Sequence, residues 1–200
     1  EINLIAREAV ASIERNADID FNEALAVPVP IHCLAKLLGV PREHAGDFHR
    51  WAEAINASIG SKMPRKKIKR IIEDQMEFWS FFEAEIMSRE QSPRPDLLSA
   101  IATERSEIDA PLTLAEKVGF CSQLIGAGAD TTTKLICFAT LALVQDGSLQ
   151  NRLRNSPEAI RSFAEEILRL EPPVQGMFRV TTADTELGDI KIPQGSMVWL

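Results

Sequence analysis

Through the first three-quarters of the chain, apolar residues recur at helical spacing. Ile2, Ile5, Ala9 and Ile13 form one stripe, with Asn16 as its stop. Pro28 and Pro30 interrupt the chain, then Ile31, Leu34, Leu37 and Leu38 mark a short helix that Gly39 ends. Pro41 restarts a helix through Phe48, Trp51 and Ile55, closing near Gly60. Pro64 precedes an amphipathic stretch whose apolar side reads as Ile68, Ile71, Ile72, Met76, Trp79, Phe82 and Ile86. Pro93 and Pro95 end it, and Asp96 is placed to cap a short helix through Leu97, Leu98 and Ile101. The longest element runs from about Leu112 to Val144 without a proline, which is roughly 50 Å of helix. Thr113-x-x-Glu116 forms a capping box at its start, and Asp146-Gly147 ends it. A shorter helix follows. Ser156-Pro157 then opens a last one, with Ile160, Phe163, Ile167 and Leu170 as its buried stripe and Pro172-Pro173 as its stop. Beyond it the period changes. Val180 to Thr182, Leu187 to Ile192, and a segment after the turn Pro193-Gln194-Gly195 read as short strands. The predicted fold class is mainly α with a small β portion, helical over residues 1–171 and stranded over 172–200.

Composition narrows the function classes. The chain has 200 residues, 45% hydrophobic and 26% charged, which excludes disorder, collagen and disulfide scaffolds. A net charge of −7 argues against a general nucleic-acid binder. The longest apolar run, Leu135 to Val144 with Thr140 inside it, is half of what a bilayer crossing needs, so no membrane span is expected. Cys33, Cys121 and Cys137 are scattered and lack zinc-ligand spacing, which reads as reduced, buried thiols in a cytoplasmic protein. No secretory signal is visible. The chain opens in helical pattern at Glu1 and closes within an apolar strand at Met197-Val198-Trp199-Leu200, as expected of an internal piece of a longer protein.

The longest helix carries its weakest helix formers at its centre, Gly126-Ala127-Gly128-Ala129-Asp130-Thr131-Thr132-Thr133. Each mid-helix glycine costs roughly 1 kcal/mol relative to alanine, and threonine is also a poor helix former. Such conflicts between local preference and global fold gather at functional sites. Glycines let something flat or large approach the backbone, and a threonine hydroxyl can bond a carbonyl one turn back. Asp130 beside Thr131 adds an acid next to an alcohol, a pairing suited to proton delivery. Two other readings are open: close helix packing with Asp130 solvated, or a phosphate loop. For the second, Thr131 stands where the third glycine belongs, and no strand precedes the motif. Glu166 and Arg169 make an i,i+3 acid–base pair on the last helix, by itself an ordinary surface ion pair.

Taken in order, these features resemble the cytochrome P-450 haem-thiolate monooxygenases. The matching residues are Ala127 to Thr132, Glu166 to Arg169, Pro172 to Val174 with Arg179, Asp184 to Gly188, and Ile192 to Gly195. Ile31 to Pro41, with its Leu-Leu-Gly-Val-Pro, is similar to the soluble bacterial branch. The resemblance covers essentially the whole chain and implies a partial cytochrome P-450 fold, with residues 1–200 as the central part of one domain. It implies haem b as cofactor, O2 as co-substrate, and insertion of one oxygen atom into a small hydrophobic substrate. Electrons would come from NAD(P)H indirectly, through a ferredoxin and its reductase or an equivalent flavoprotein.

Residue by residue, the resemblance implies that Ala127 and Gly128 line the oxygen-binding groove on the distal face of haem. Thr131 would be the hydroxyl delivering protons there, with Asp130 as its acidic partner. Glu166 and Arg169 would be structural, completed by a residue beyond Leu200. Arg179 would meet a haem propionate, and Val174 and Met177 would line the substrate pocket. The axial cysteine would also lie beyond Leu200, since none of the three cysteines stands in the expected loop. The segment alone is therefore expected to be inactive. The alternative is a non-catalytic helical module that keeps the scaffold for binding. Lys62, Arg65, Lys66, Lys67, Lys69 and Arg70 form a basic strip, read as a solvated helix start, and His32, His44 and His49 as surface or packing residues.

Overall fold

A computed structural model describes residues 1–14, 18–57, 64–104 and 110–200. The expected stops at Asn16 and Gly60, and Lys62 of the basic strip, lie outside them. The chain forms two compact units, Glu1–Thr140 and Leu141–Leu200.

The first unit is helical: α1 (Ile2–Ala11), α2 (Pro28–Leu38), α3 (Ala45–Ala57), α4 (Arg65–Gln91), α5 (Leu97–Ala102) and most of α6 (Leu114–Gln145). A wide π-type turn at Asn22–Ala26 precedes α2, and a 3-10 turn at Arg42–His44 precedes α3. Pro28 and Pro30 start α2 rather than break the chain, because the first helical turn has no use for their missing N–H groups. Gly39 ends α2 at φ 75°, and a Cβ there would also strike the Asp96 side chain, so glycine is required twice over. The Asp96 carboxylate accepts from the Ser99 N–H at 2.7 Å and caps α5. Thr113 and Glu116 close the expected capping box on α6, with the Thr113 N–H donating to Glu116 at 2.8 Å and the Glu116 N–H to Thr113 Oγ1 at 3.3 Å.

The core gathers Ile31, Ala35 and Leu38 of α2, Phe48 and Trp51 of α3, Phe78, Phe82 and Ile86 of α4, Leu98 and Ile101 of α5, and Val118, Cys121, Ile125 and Ala129 of α6. Phe48, Trp51, Phe78, Phe81 and Phe82 form an aromatic cluster with ring centroids 4.6–6.0 Å apart. That cluster corrects the stripe expected on α4. Its buried face runs through Asp74, Phe78, Phe82, Ile86 and Arg89, whereas Ile68, Ile72, Met76 and Trp79 are exposed. The helix carries apolar residues on more than one face, and the aromatic partners on α3 select one of them. Arg50 of α3 fixes the choice, donating to Asp74, to Glu77 at 2.8 Å and to Asp47 at 2.9 Å. These bonds raise the arginine above its ordinary pKa, with Glu77 the largest contributor. Arg65, Lys66, Lys67, Lys69 and Arg70 of the basic strip are exposed at the start of α4.

Cys121 is buried in this core, and burial pushes its thiol up to about 12. Cys33 and Cys137 are half-buried, and burial raises both thiols as well. By length and composition α6 is also able to cross a membrane. Four residues of its first half, Val118, Cys121, Ile125 and Ala129, sit in the core, whereas its apolar 18-residue stretch is 6% buried.

The second unit holds α7 (Gly147–Asn155), α8 (Ala159–Leu170) and strands β1 (Phe178–Val180), β2 (Thr185–Leu187), β3 (Ile190–Ile192) and β4 (Met197–Trp199). β1 pairs antiparallel with β4, and β2 with β3. α6 ends at Gln145, so Asp146 stops it as expected, and Asp146 also starts the next helix. Its carboxylate accepts from Ser148 and Leu149 and caps α7, with Gly147 as the first helical residue. Ser156 and Pro157 precede α8, where their carbonyls accept from Ala159 and Ile160. Of the stripe expected on α8, Ile167 is buried and Phe163 half-buried, while Ile160 and Leu170 are exposed. Their spacing is amphipathic, but nothing within this unit covers the two ends.

Candidate functional site

The centre of α6 presents two sides. Toward the core, Gly126 meets α3 so closely that a Cβ would lie 2.8 Å from Ile55 Cγ2, and the Asn56 side-chain amide donates to the Gly126 carbonyl at 3.2 Å. Gly128 faces α2, where a Cβ would lie 3.1 Å from Leu34 Cδ2. Close packing is thus one use of these glycines. The other side is open: Ala127 is exposed and Thr131 half-buried, one helical turn apart. Thr131 Oγ1 donates to the Ala127 carbonyl at 2.6 Å, the backbonding expected of a mid-helix threonine. α6 remains continuous through the glycines.

The packing of Gly126 has a measurable consequence. Ile55 is β-branched and stiff at χ1, so its methyl cannot swing aside cheaply. Gly126→Ala gains roughly 1 kcal/mol of helix propensity and loses about 1–3 kcal/mol to overpacking. Net destabilisation of about 1 kcal/mol is expected by chemical denaturation, and Ile55→Ala should relieve part of it in the double variant.

Asp130 pairs with Lys134, while Thr131 bonds the Ala127 carbonyl. The Asp130 Oδ2 accepts from Lys134 Nζ at 2.6 Å, one turn further along. Lys134 was not among the sequence candidates, although the i,i+4 spacing of acid and lysine signals it. Thr133 donates to the Ala26 carbonyl at 3.1 Å and anchors the turn before α2.

In the second unit, Glu166 and Arg169 meet through two hydrogen bonds of 2.8 and 2.7 Å, a fork-to-fork pair. Hydrogen bonding to Arg169 holds Glu166 below the ordinary carboxylate range, and the same bonds raise Arg169. Arg179 lies on β1, exposed, and its Nη1 donates to the Phe178 carbonyl at 2.9 Å. Among the described residues no carboxylate forms an ion pair with it. Val174 and Met177 are exposed on the segment between α8 and β1.

A family model for cytochrome P450 matches residues 29–200. The chain belongs to the cytochrome P450 family. It is 32% identical to cytochrome P450 109 of Bacillus spizizenii over 92% of this chain and 46% of that protein. It is 27% identical to 6-deoxyerythronolide B hydroxylase of Saccharopolyspora erythraea over 98% of this chain and 48% of that protein. Its fold superposes on CYP109E1 from Bacillus megaterium, solved in complex with testosterone, with a TM-score of 0.88 and 31% identity, over 99% of this chain and 53% of that one. The chain thus spans about half the length of these P450 relatives. Its fold is the P450 fold over that half, mainly helical with a small sheet portion.

Proposed function

We propose that residues 1–200 are the central part of a single cytochrome P450 domain. The full-length protein would be a cytoplasmic, haem b-dependent monooxygenase that inserts one oxygen atom from O2 into a hydrophobic substrate. The observation that carries this reading is Thr131, half-buried on the open side of α6 and bonded to the Ala127 carbonyl, with Asp130 adjacent. Two electrons and two protons accompany each O2, so that substrate and O2 become alcohol and water. The electrons come from NAD(P)H through a ferredoxin and its reductase or an equivalent flavoprotein.

The residues present suit the distal side of haem. Ala127 offers a single exposed methyl group, leaving room for a flat ring. Arg179 keeps an exposed guanidinium for a propionate. Haem iron, when bound, supplies the centre at which O2 is activated. The chain's own task is then to hold and pass protons while keeping bulk water out. The Thr131 hydroxyl holds a proton at Oγ1, and Asp130 resupplies it. Gly128 sets the closeness of α6 to α2, and through it the height of Ala127. Glu166 and Arg169 brace the haem-side scaffold. Val174 and Met177 present apolar surface to substrate, and the testosterone held by CYP109E1 supports a hydrophobic ligand. The thiolate ligand to iron is assigned to a cysteine outside these residues. Cys121 is buried with its thiol held protonated, and Cys33 and Cys137 are raised in the same direction, the opposite of what a thiolate ligand needs. Without that ligand the segment alone is inactive.

The test is isotopic. Full-length protein supplied with haem, reductase, ferredoxin and labelled O2 should place one labelled oxygen atom in product and the other in water. Product labelled from solvent water instead would overturn the monooxygenase reading.

A further inference from the structure

In the second unit the ladder between β1 and β4 extends one residue beyond the strands. The Met177 N–H donates to the Leu200 carbonyl at 2.9 Å, and the Leu200 N–H to the Met177 carbonyl at 3.0 Å. The next pair in register, Phe178 and Trp199, is therefore a non-hydrogen-bonded one, whose side chains lie closer. Their rings meet edge to face with centroids 4.6 Å apart. The Trp199 indole also reaches the diagonal neighbour, Gly176, where a Cβ would overlap its ring. The Gly176 backbone is not left-handed, so what stands in the way of alanine there is the indole. Gly176 and Phe178 thus share the Trp199 side of the ribbon, and Met177 and Arg179 alternate to the opposite side. Apart from these contacts Trp199 remains exposed.

We propose that Trp199 is a positioning residue for the substrate pocket: seated on Gly176 and Phe178, its indole fixes the path of residues 174–177 and so presents Met177 on the same side of the ribbon as Arg179. The inference rests on the pocket role given above to Val174 and Met177. Residues 172–177 form neither helix nor strand, so what packs on them sets their path. Gly176 is the residue of that segment with the widest choice of backbone conformations, and the indole lies on it. A slip of one residue in the ladder would send Met177 to the other face. The Trp199 ring opposes it, because only glycine fits beneath the indole.

Trp199→Ala, Trp199→Phe, Gly176→Ala, Met177→Ala and the double variant Gly176→Ala/Trp199→Ala would be compared in the haem-loaded full-length protein. The probe is 4-phenylimidazole, which carries an apolar ring into the pocket. Trp199→Ala and Gly176→Ala are each expected to raise its Kd about fivefold, the effect of a lining residue displaced by about 1 Å. Trp199→Phe should regain most of the binding. Gly176→Ala should add nothing once Trp199 is alanine, a coupling that loss of stability alone would not produce. Crystal structures of Trp199→Ala and Gly176→Ala should show the Met177 backbone displaced, a readout independent of turnover. A Met177 backbone in its parental place in both variants would overturn the role of Trp199, whatever Met177→Ala does. A displaced backbone with parental probe binding in Met177→Ala would instead overturn the pocket reading on which the inference rests.

Discussion

Thr131→Ala in the full-length enzyme is expected to lower product formation about 10²-fold, the lower end of what general acid–base catalysis contributes. Reductant consumption should continue, with the missing electrons recovered as hydrogen peroxide. The argument starts from the bond between Thr131 Oγ1 and the Ala127 carbonyl at 2.6 Å. That bond holds the hydroxyl on the open side of α6, one turn from a residue too small to obstruct O2. Alanine keeps the helix, improving local propensity, and removes only the proton carrier. Electron supply does not pass through Thr131, so O2 is still reduced. Without a directed second proton, it leaves as peroxide. Thr131→Ser, which restores a hydroxyl, should regain most of the product. Equal product per reductant in Thr131→Ala and parent would remove Thr131 from the chemistry.

Where sequence and structure agree, the signal is local. The capping box at Thr113–Glu116, the Asp96 cap and the left-handed stop at Gly39 each depend on a few neighbouring residues with one low-energy arrangement. Thr131 is similar, since a mid-helix threonine has the carbonyl one turn back as its nearest acceptor. Where they part, a distant element decides. The buried face of α4 is chosen by Phe48, Trp51 and Arg50 on α3, and periodicity alone does not identify them. Asp146 ends α6 as the sequence signals, but Gly147 is the first residue of α7 rather than a left-handed stop, because the Asp146 carboxylate caps that next helix. The acid–alcohol pair was legible as a pair but not as a geometry. Residues 130 and 131 differ by about 100° around a helix, and the Asp130 carboxylate takes Lys134 as its partner while the Thr131 hydroxyl takes the Ala127 carbonyl.

Arg89→Ala is expected to destabilise the fold by about 3–5 kcal/mol, the cost of removing one partner from a buried ion pair, here a buried guanidinium between two half-buried carboxylates. Arg89 is fully buried on α4 and joins three elements. It donates to Glu85 on its own helix, to the Asp96 cap of α5 at 3.4 Å, and to the Gly39 carbonyl at the end of α2 at 3.0 Å. Truncation would strand all three acceptors and leave a void. Arg89→Met keeps most of the volume and removes the charge, so its cost measures the electrostatic share. Acid should separate them further. Burial pushes Asp96 upward, but hydrogen bonds from Ser99 and the Arg89 charge outweigh it, and its net pKa is lowered. A lowered carboxylate contributes stability that is present above its unfolded value, about 3.9, and lost as pH falls through its folded value. The gap between parent and Arg89→Ala, measured by chemical denaturation, should therefore be widest near neutrality and narrow below about pH 4. A gap independent of pH would show that Arg89 acts there by packing alone.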